Sequence, residues 1–260
     1  LPLIPSDLLE KAVDDCVKRA NRLLMKDQRA RLALARHVAL RGDRAGLPEL
    51  LAAADQGVVE ASYAISILFL VSGPYSPADP QFEELPRSRA EAHLRKAAEA
   101  GLPGAMYRLG RGLATGILVK RDEREARTWQ ERLEEQSRRT GDKENLGRAS
   151  LELAAIALAS KNPPQDDQVR LAELARQVEA APLTAPYARW IEIRGRRLGI
   201  GWPKDEATAR ELAEAAQTAG GVPTIDAEYA ELLAESTDPA DRLKLAELLE
   251  RIEPRNSALV

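Results

Sequence analysis

A block of about a dozen residues recurs in this chain with its glycine, alanine and tyrosine in step. Gly57-Val58-Val59-Glu60-Ala61-Ser62-Tyr63-Ala64-Ile65 aligns with Gly101-Leu102-Pro103-Gly104-Ala105-Met106-Tyr107-Arg108-Leu109, 44 residues later at each position (101 − 57, 107 − 63). Ala53-Ala54-Asp55-Gln56 falls on Ala97-Ala98-Glu99-Ala100 at the same offset. Self-similarity at a period of roughly 20–50 residues is the mark of stacked supersecondary units, none of which can bury its apolar face alone. Ala227-Glu228-Tyr229 and Ala185-Pro186-Tyr187 read as a third and fourth copy, so four of the five tyrosines sit in Ala-x-Tyr. A second element repeats as well. Asp122-Glu123-Arg124-Glu125-Ala126-Arg127 matches Asp205-Glu206-Ala207-Thr208-Ala209-Arg210 at an offset of 83 (205 − 122), each behind a glycine-bearing turn. Acidic residues there complement the positive end of a helix dipole.

Composition agrees with thin, repeated interfaces. Aromatic residues are only 4% of the chain, and alanine and leucine dominate its 44% hydrophobic content, which suits units that pack against neighbours rather than one thick core. Charged residues make up 30% but nearly cancel, at −3, so there is no basic footprint for a nucleic acid. The one cysteine, Cys16, excludes an internal disulfide and reads as a small buried apolar residue. No apolar run approaches the ~18 residues of a membrane span. The chain begins at Leu1 without methionine, which reads as removal of a segment; if that was a signal peptide, the location is periplasmic, and otherwise cytoplasmic.

In order, Ser6-Asp7 caps a helix to about residue 25, and a second runs from near 27 to Arg41-Gly42. A third spans about 47–56. Proline-rich residues 72–86, which include Tyr75, form the longest loop, inserted between two helices of one repeat. Helices then fill roughly 144–160, 167–180, 184–197, 204–218, 226–235 and 239–252, with Pro254 ending the order.

The run Lys96 to Gly110, followed by Gly116 to Trp129, resembles the Sel1-like repeat, an α/α repeat related to the tetratricopeptide repeat. The match covers about 87–130, 50–71 and 185–221, roughly half of the chain, and departs from the pattern where the 72–86 insert replaces a glycine turn. The resemblance implies an all-α solenoid of about five to six helical hairpins, a Sel1-like superhelix over residues 1–260 whose concave surface binds protein. Bacterial members are often exported adaptors in envelope assembly, virulence or secretion. Some are similar in plan to immunity proteins that neutralise phospholipase effectors of the type VI secretion system. No catalytic residues come with the family.

The residues themselves point to no catalysis, cofactor or metal. His37 and His93 each sit within a helix pattern without a nucleophile partner, and one cysteine with two separated histidines does not make a zinc set. Gly195-Arg196-Arg197-Leu198-Gly199-Ile200-Gly201 lacks Gly-Lys-Ser/Thr and a preceding strand, so it reads as a helix–turn–helix corner rather than a phosphate loop. Glu134/Glu135 and Asp166/Asp167 read as solvated faces or caps.

The surface remains. Trp129 and Trp190 read as inter-repeat packing, and Trp202, between Gly201 and Pro203, as the exposed anchor. Arg189, Glu192 and Arg196 share a helical face and, with Arg108, Arg111 and Tyr75, are the expected partner contacts. The expected partner is another protein. A scaffold for exopolysaccharide export or cell-wall assembly, and a cytoplasmic regulatory subunit, stay open as alternatives; oligomeric state is not fixed.

Overall fold

Two left-handed glycines with identical hydrogen bonds anchor the 44-residue repeat. Gly57 (φ 88°) follows helix α1 (Leu47–Asp55), and Gly101 (φ 83°) follows α3 (Arg87–Glu99). At each, the glycine N–H bonds three residues back and the next N–H reaches five back: Val58 to Ala53 at 3.0 Å, Leu102 to Ala97 at 3.2 Å. This is the Schellman closure, in which a left-handed residue satisfies orphan carbonyls at the helix end. The first turn leads into α2 (Val59–Val71), the second into α4 (Pro103–Thr115).

The computed structural model describes residues 47–71, 87–220 and 222–257. Cys16, His37, both N-terminal helices and the 72–86 insert with Tyr75 lie outside them. After α4 come α5 (Glu123–Thr140), α6 (Lys143–Ala159), α7 (Gln165–Glu179), a 3₁₀ turn (Ala185–Tyr187), α8 (Ala188–Leu198), α9 (Glu206–Thr218), α10 (Pro223–Ala234) and α11 (Pro239–Ser257). The described residues are thus all-α, with hairpins α2/α3, α4/α5, α6/α7, α8/α9 and α10/α11. The last helix continues through Pro254, which removes only one N–H close to a helix end. The chain divides into two compact units, residues 1–105 and 106–260, with the division inside α4.

In the first unit, Leu50, Ala54, Val58, Ala61, Ala64 and Ile65 form one apolar cluster between α1 and α2. Lys96 reaches from α3 to the Ala54 carbonyl at 2.9 Å. His93 is buried, 3.4 Å from the Ser62 hydroxyl, and burial lowers its pKa. It is a packing residue.

The second unit is built on the 83-residue offset. Asp122 caps α5 by accepting from the amides of Arg124 and Glu125, and Asp205 caps α9 by accepting from Thr208. The Asp122 amide bonds Leu113 O at 2.9 Å and the Asp205 amide bonds Arg196 O at 3.0 Å, so the two turns close with the same bond. Leu118 (φ 68°) even holds the left-handed conformation that Gly201 (φ 77°) holds 83 residues on. One apolar cluster lies among α6, α7 and α8 around Leu171 and Ile191, another among α8–α11 around Ile193 and Tyr229. Trp190 packs against both, as expected of an inter-repeat filler, and Trp129 is buried. Each fully buried Leu or Ile contributes roughly 1.5–3 kcal/mol.

Ion pairs tie successive hairpins along the same lines. Arg111 of α4 lies 3.8 Å from Glu152 of α6, and Arg194 of α8 is 2.8 Å from Glu228 of α10. Among the second helices of each hairpin, Arg127 pairs with Asp167 and Arg210 with Asp241. Glu134 and Asp167 are therefore not solvated. Glu134, 6% exposed at its side chain, is bridged by Arg138 and Arg170, both at 2.7 Å. Buried carboxylates need such partners because desolvation is costly.

Candidate functional site

The helix α9 and its C-cap residue carry Leu212, Ala215, Ala216 and Ala219 toward the starts of α8 and α10, and these side chains leave a groove of about 350 Å³. Ile225 of α10, which is buried, and Pro186 of the 3₁₀ turn line it too. Arg189, in the first turn of α8, lines it as well. The groove is apolar apart from that guanidinium, the usual make-up of a pocket that takes an anchoring side chain.

Arg189 is held loosely. Its side chain is 54% exposed and its contact with Glu192 is at 4.0 Å, whereas Arg196 donates to Glu192 from the other side at 3.0 Å. The three predicted contacts on this helix face are thus brought together, with the shared carboxylate committed mainly to Arg196.

Arg108 and Arg111 sit elsewhere in the unit, on α4. Arg111 donates to the Tyr107 hydroxyl at 3.0 Å, and that hydroxyl donates to Glu152 at 3.3 Å. The Arg148 guanidinium lies 5.7 Å from the centroid of the Tyr107 ring. Burial lifts the Glu152 carboxyl above its ordinary value, with Arg111 pulling the other way. Burial also raises the Tyr107 phenol, helped by the Glu152 charge. Tyr107 is therefore a half-buried member of a polar cluster rather than an apolar plug.

Trp202 is not an exposed anchor. A Cβ placed on Gly195 would come within 2.4 Å of its ring, and the indole packs on the cluster of Leu171, Ile191 and Ile200. Gly201 folds the turn back so that the ring closes over the helix it follows. At the equivalent place Val119, fully buried, lies against Gly112. The glycine-rich 195–201 segment is a helix corner, as read from the sequence.

No family model matches this sequence, and no curated protein matches it. Solved structures do. A Sel1 repeat protein from Oxalobacter formigenes superposes with a TM-score of 0.60 at 17% identity, covering 95% of this chain and 98% of that one. The chain has the Sel1-repeat fold. A second structure, c5321, a protective antigen present in uropathogenic Escherichia coli strains displaying an SLR fold, aligns at a TM-score of 0.40 and 18% identity, over 95% of this chain and 56% of that one.

In this Sel1-repeat fold the Ala-x-Tyr copies are not all equivalent. Ala61 and Ala105 are buried with Tyr63 and Tyr107 half-buried, but Ala227 is exposed and Tyr229 buried, a different register. Ala185-Pro186-Tyr187 is the 3₁₀ turn ahead of α8, and the residues 83 after Ala105 and Tyr107 are Ala188 and Trp190. The groove residues of α9 were missed from sequence. Their signal is subtractive: 83 residues earlier stand Trp129, Arg132, Leu133 and Gln136. Among the described residues no His, Cys, Asp and Glu side chains gather as a metal site, and no helix is long and apolar enough to cross a membrane.

Proposed function

We propose that this chain is a non-catalytic protein-binding module, and in its most concrete form a periplasmic adaptor or immunity protein that covers a secreted effector of phospholipase type. The observation that supports it is the α8–α9–α10 groove: an open apolar concavity with one exposed guanidinium, carried on a repeat scaffold in which several other arginines are spent in ion pairs between hairpins. Such a surface offers an anchor site and a charged rim, which is what protein recognition uses.

The test is capture with the purified chain as bait in envelope extract of the source organism, followed by assay of the captured protein. A stoichiometric partner whose lipase or toxin activity falls on binding is the expected result. Recovery of no protein partner, with turnover of a small substrate by the chain itself, would sink the reading.

A further inference from the structure

The groove lies on α9 where, 83 residues and two hairpins earlier, the matching position of α5 carries a buried tryptophan. The register between α5 and α9 is fixed at 83 by their capping aspartates and turns, and by Ala126 and Ala209, both fully buried. At one facing pair of these copies volume is exchanged across the interface. Gly110 faces Gln130 so closely that a Cβ would come within 2.4 Å of it, and the second copy has Ile193 and Ala213, the larger residue having moved across the interface. At the groove no such exchange occurs. Trp129 becomes Leu212, Arg132 becomes Ala215, Leu133 becomes Ala216 and Gln136 becomes Ala219. In the first copy the Trp129 indole is buried and the Arg132 guanidinium lies 4.9 Å from its ring centroid. In the second that volume is open, and a guanidinium, Arg189, stands at its rim 4.0 Å from a carboxylate that Arg196 already holds.

We infer that the groove receives an aromatic side chain from a partner protein, indole-like in size, lying beside a carboxylate that pairs with Arg189. The first repeat displays the complement within the same molecule: an aromatic ring buried under a guanidinium. The choice of a protein as occupant rests on the function proposed above; the choice of side chain rests on the groove.

Two small probes separate the contributions. N-acetyl-tryptophan carries both groups, and N-acetyl-tryptophanamide carries the ring without the charge. Methyl NMR of the full chain should show saturable shifts at Leu212, Ala216 and Ile225, with a Kd on the order of 1 mM for a ligand of this size. The acid should bind about threefold or more tighter than the amide, and Arg189→Gln should abolish that difference while leaving the amide bound. The pair Leu212→Trp with Ala215→Arg transplants the first copy's stack, and should raise Tm and abolish both shifts. If that variant fails to fold, the acid–amide difference and its loss in Arg189→Gln still decide. Absence of saturable shifts at roughly tenfold above the expected Kd overturns the inference. So does a captured protein that binds the folded transplant variant as tightly as the parent, a result that leaves the protein-binding reading standing. Saturable probe binding in a chain that captures no protein would uphold the groove chemistry and remove that reading.

Discussion

Arg127 donates two hydrogen bonds to Asp167, at 2.6 and 2.7 Å, from one hairpin's second helix to the next. Arg210 makes the corresponding contact with Asp241, so the same bond joins hairpins in both halves of the second unit. Asp167 is 10% exposed at its side chain and Arg127 28%, which places the pair well above the surface class. Arg127→Ala should lose roughly 1.5–3 kcal/mol, the range for hydrogen bonds to charged groups. Chemical denaturation of both single variants and the double variant with Asp167→Ala measures it. A coupling near zero would assign these residues to solvent.

Gly201→Ala should cost more than Gly141→Ala. Both glycines lie in the left-handed region, at 77° and 72°, so both substitutions carry backbone strain of roughly 1–2 kcal/mol. At Gly141 a Cβ meets nothing within 4 Å; at Gly201 it meets Leu171 at 2.8 Å and the Gln168 carbonyl at 2.9 Å. The difference in Tm between the two variants reads the contact alone. Equal losses would show that the turn yields.

Trp202→Ala should destabilise by about 2–4 kcal/mol, somewhat below the cost for a fully buried tryptophan because the indole is only partly buried. Thermal melts with partner or probe titration of the folded protein check this. An unchanged Tm would return Trp202 to the surface role that its sequence neighbours suggest.

Glu152 gives the second unit a pH dependence in the acid range. Burial raises its carboxyl above the ordinary value, so between that value and the folded one the native state holds a proton that the unfolded chain has released. Its contribution to stability is therefore greatest below the ordinary carboxylate pKa and falls as pH rises through the folded one. Glu152→Gln should remove that component, flattening the difference in unfolding free energy across the window. A parallel pH profile for parent and variant would contradict it.

Much of the architecture is legible in the chain because it depends on local chemistry. Gly57 and Gly101 announce left-handed caps, Asp122 and Asp205 announce helix starts, and the predicted helix limits after residue 140 fall within four residues of those observed, apart from the extension of α11 beyond Pro254. Burial register is less legible. Ala227-Glu228-Tyr229 has the letters of Ala105-Met106-Tyr107, yet it faces Tyr229 inward, since the inward face is chosen by what the neighbouring helices leave open. Trp202 sits in a turn by sequence, but its side chain reaches back over Gly195, a contact set by the path of the turn in space.

The sequence alone determined the helices, their caps, the 44- and 83-residue periods and the all-α repeat class, because each follows from backbone preferences and short-range spacing. The tertiary structure decided which charges are spent in pairs and where the surface is open. Arg127 and Arg189 look alike in the sequence; one is bound at both nitrogens to Asp167 and the other borders an unfilled groove. The groove exists because four side chains on α9 and its C-cap are shorter than their counterparts in α5 and no facing residue grew by the same amount. Volume missing between helices is a property of their packing, and it becomes visible only when the helices are set side by side.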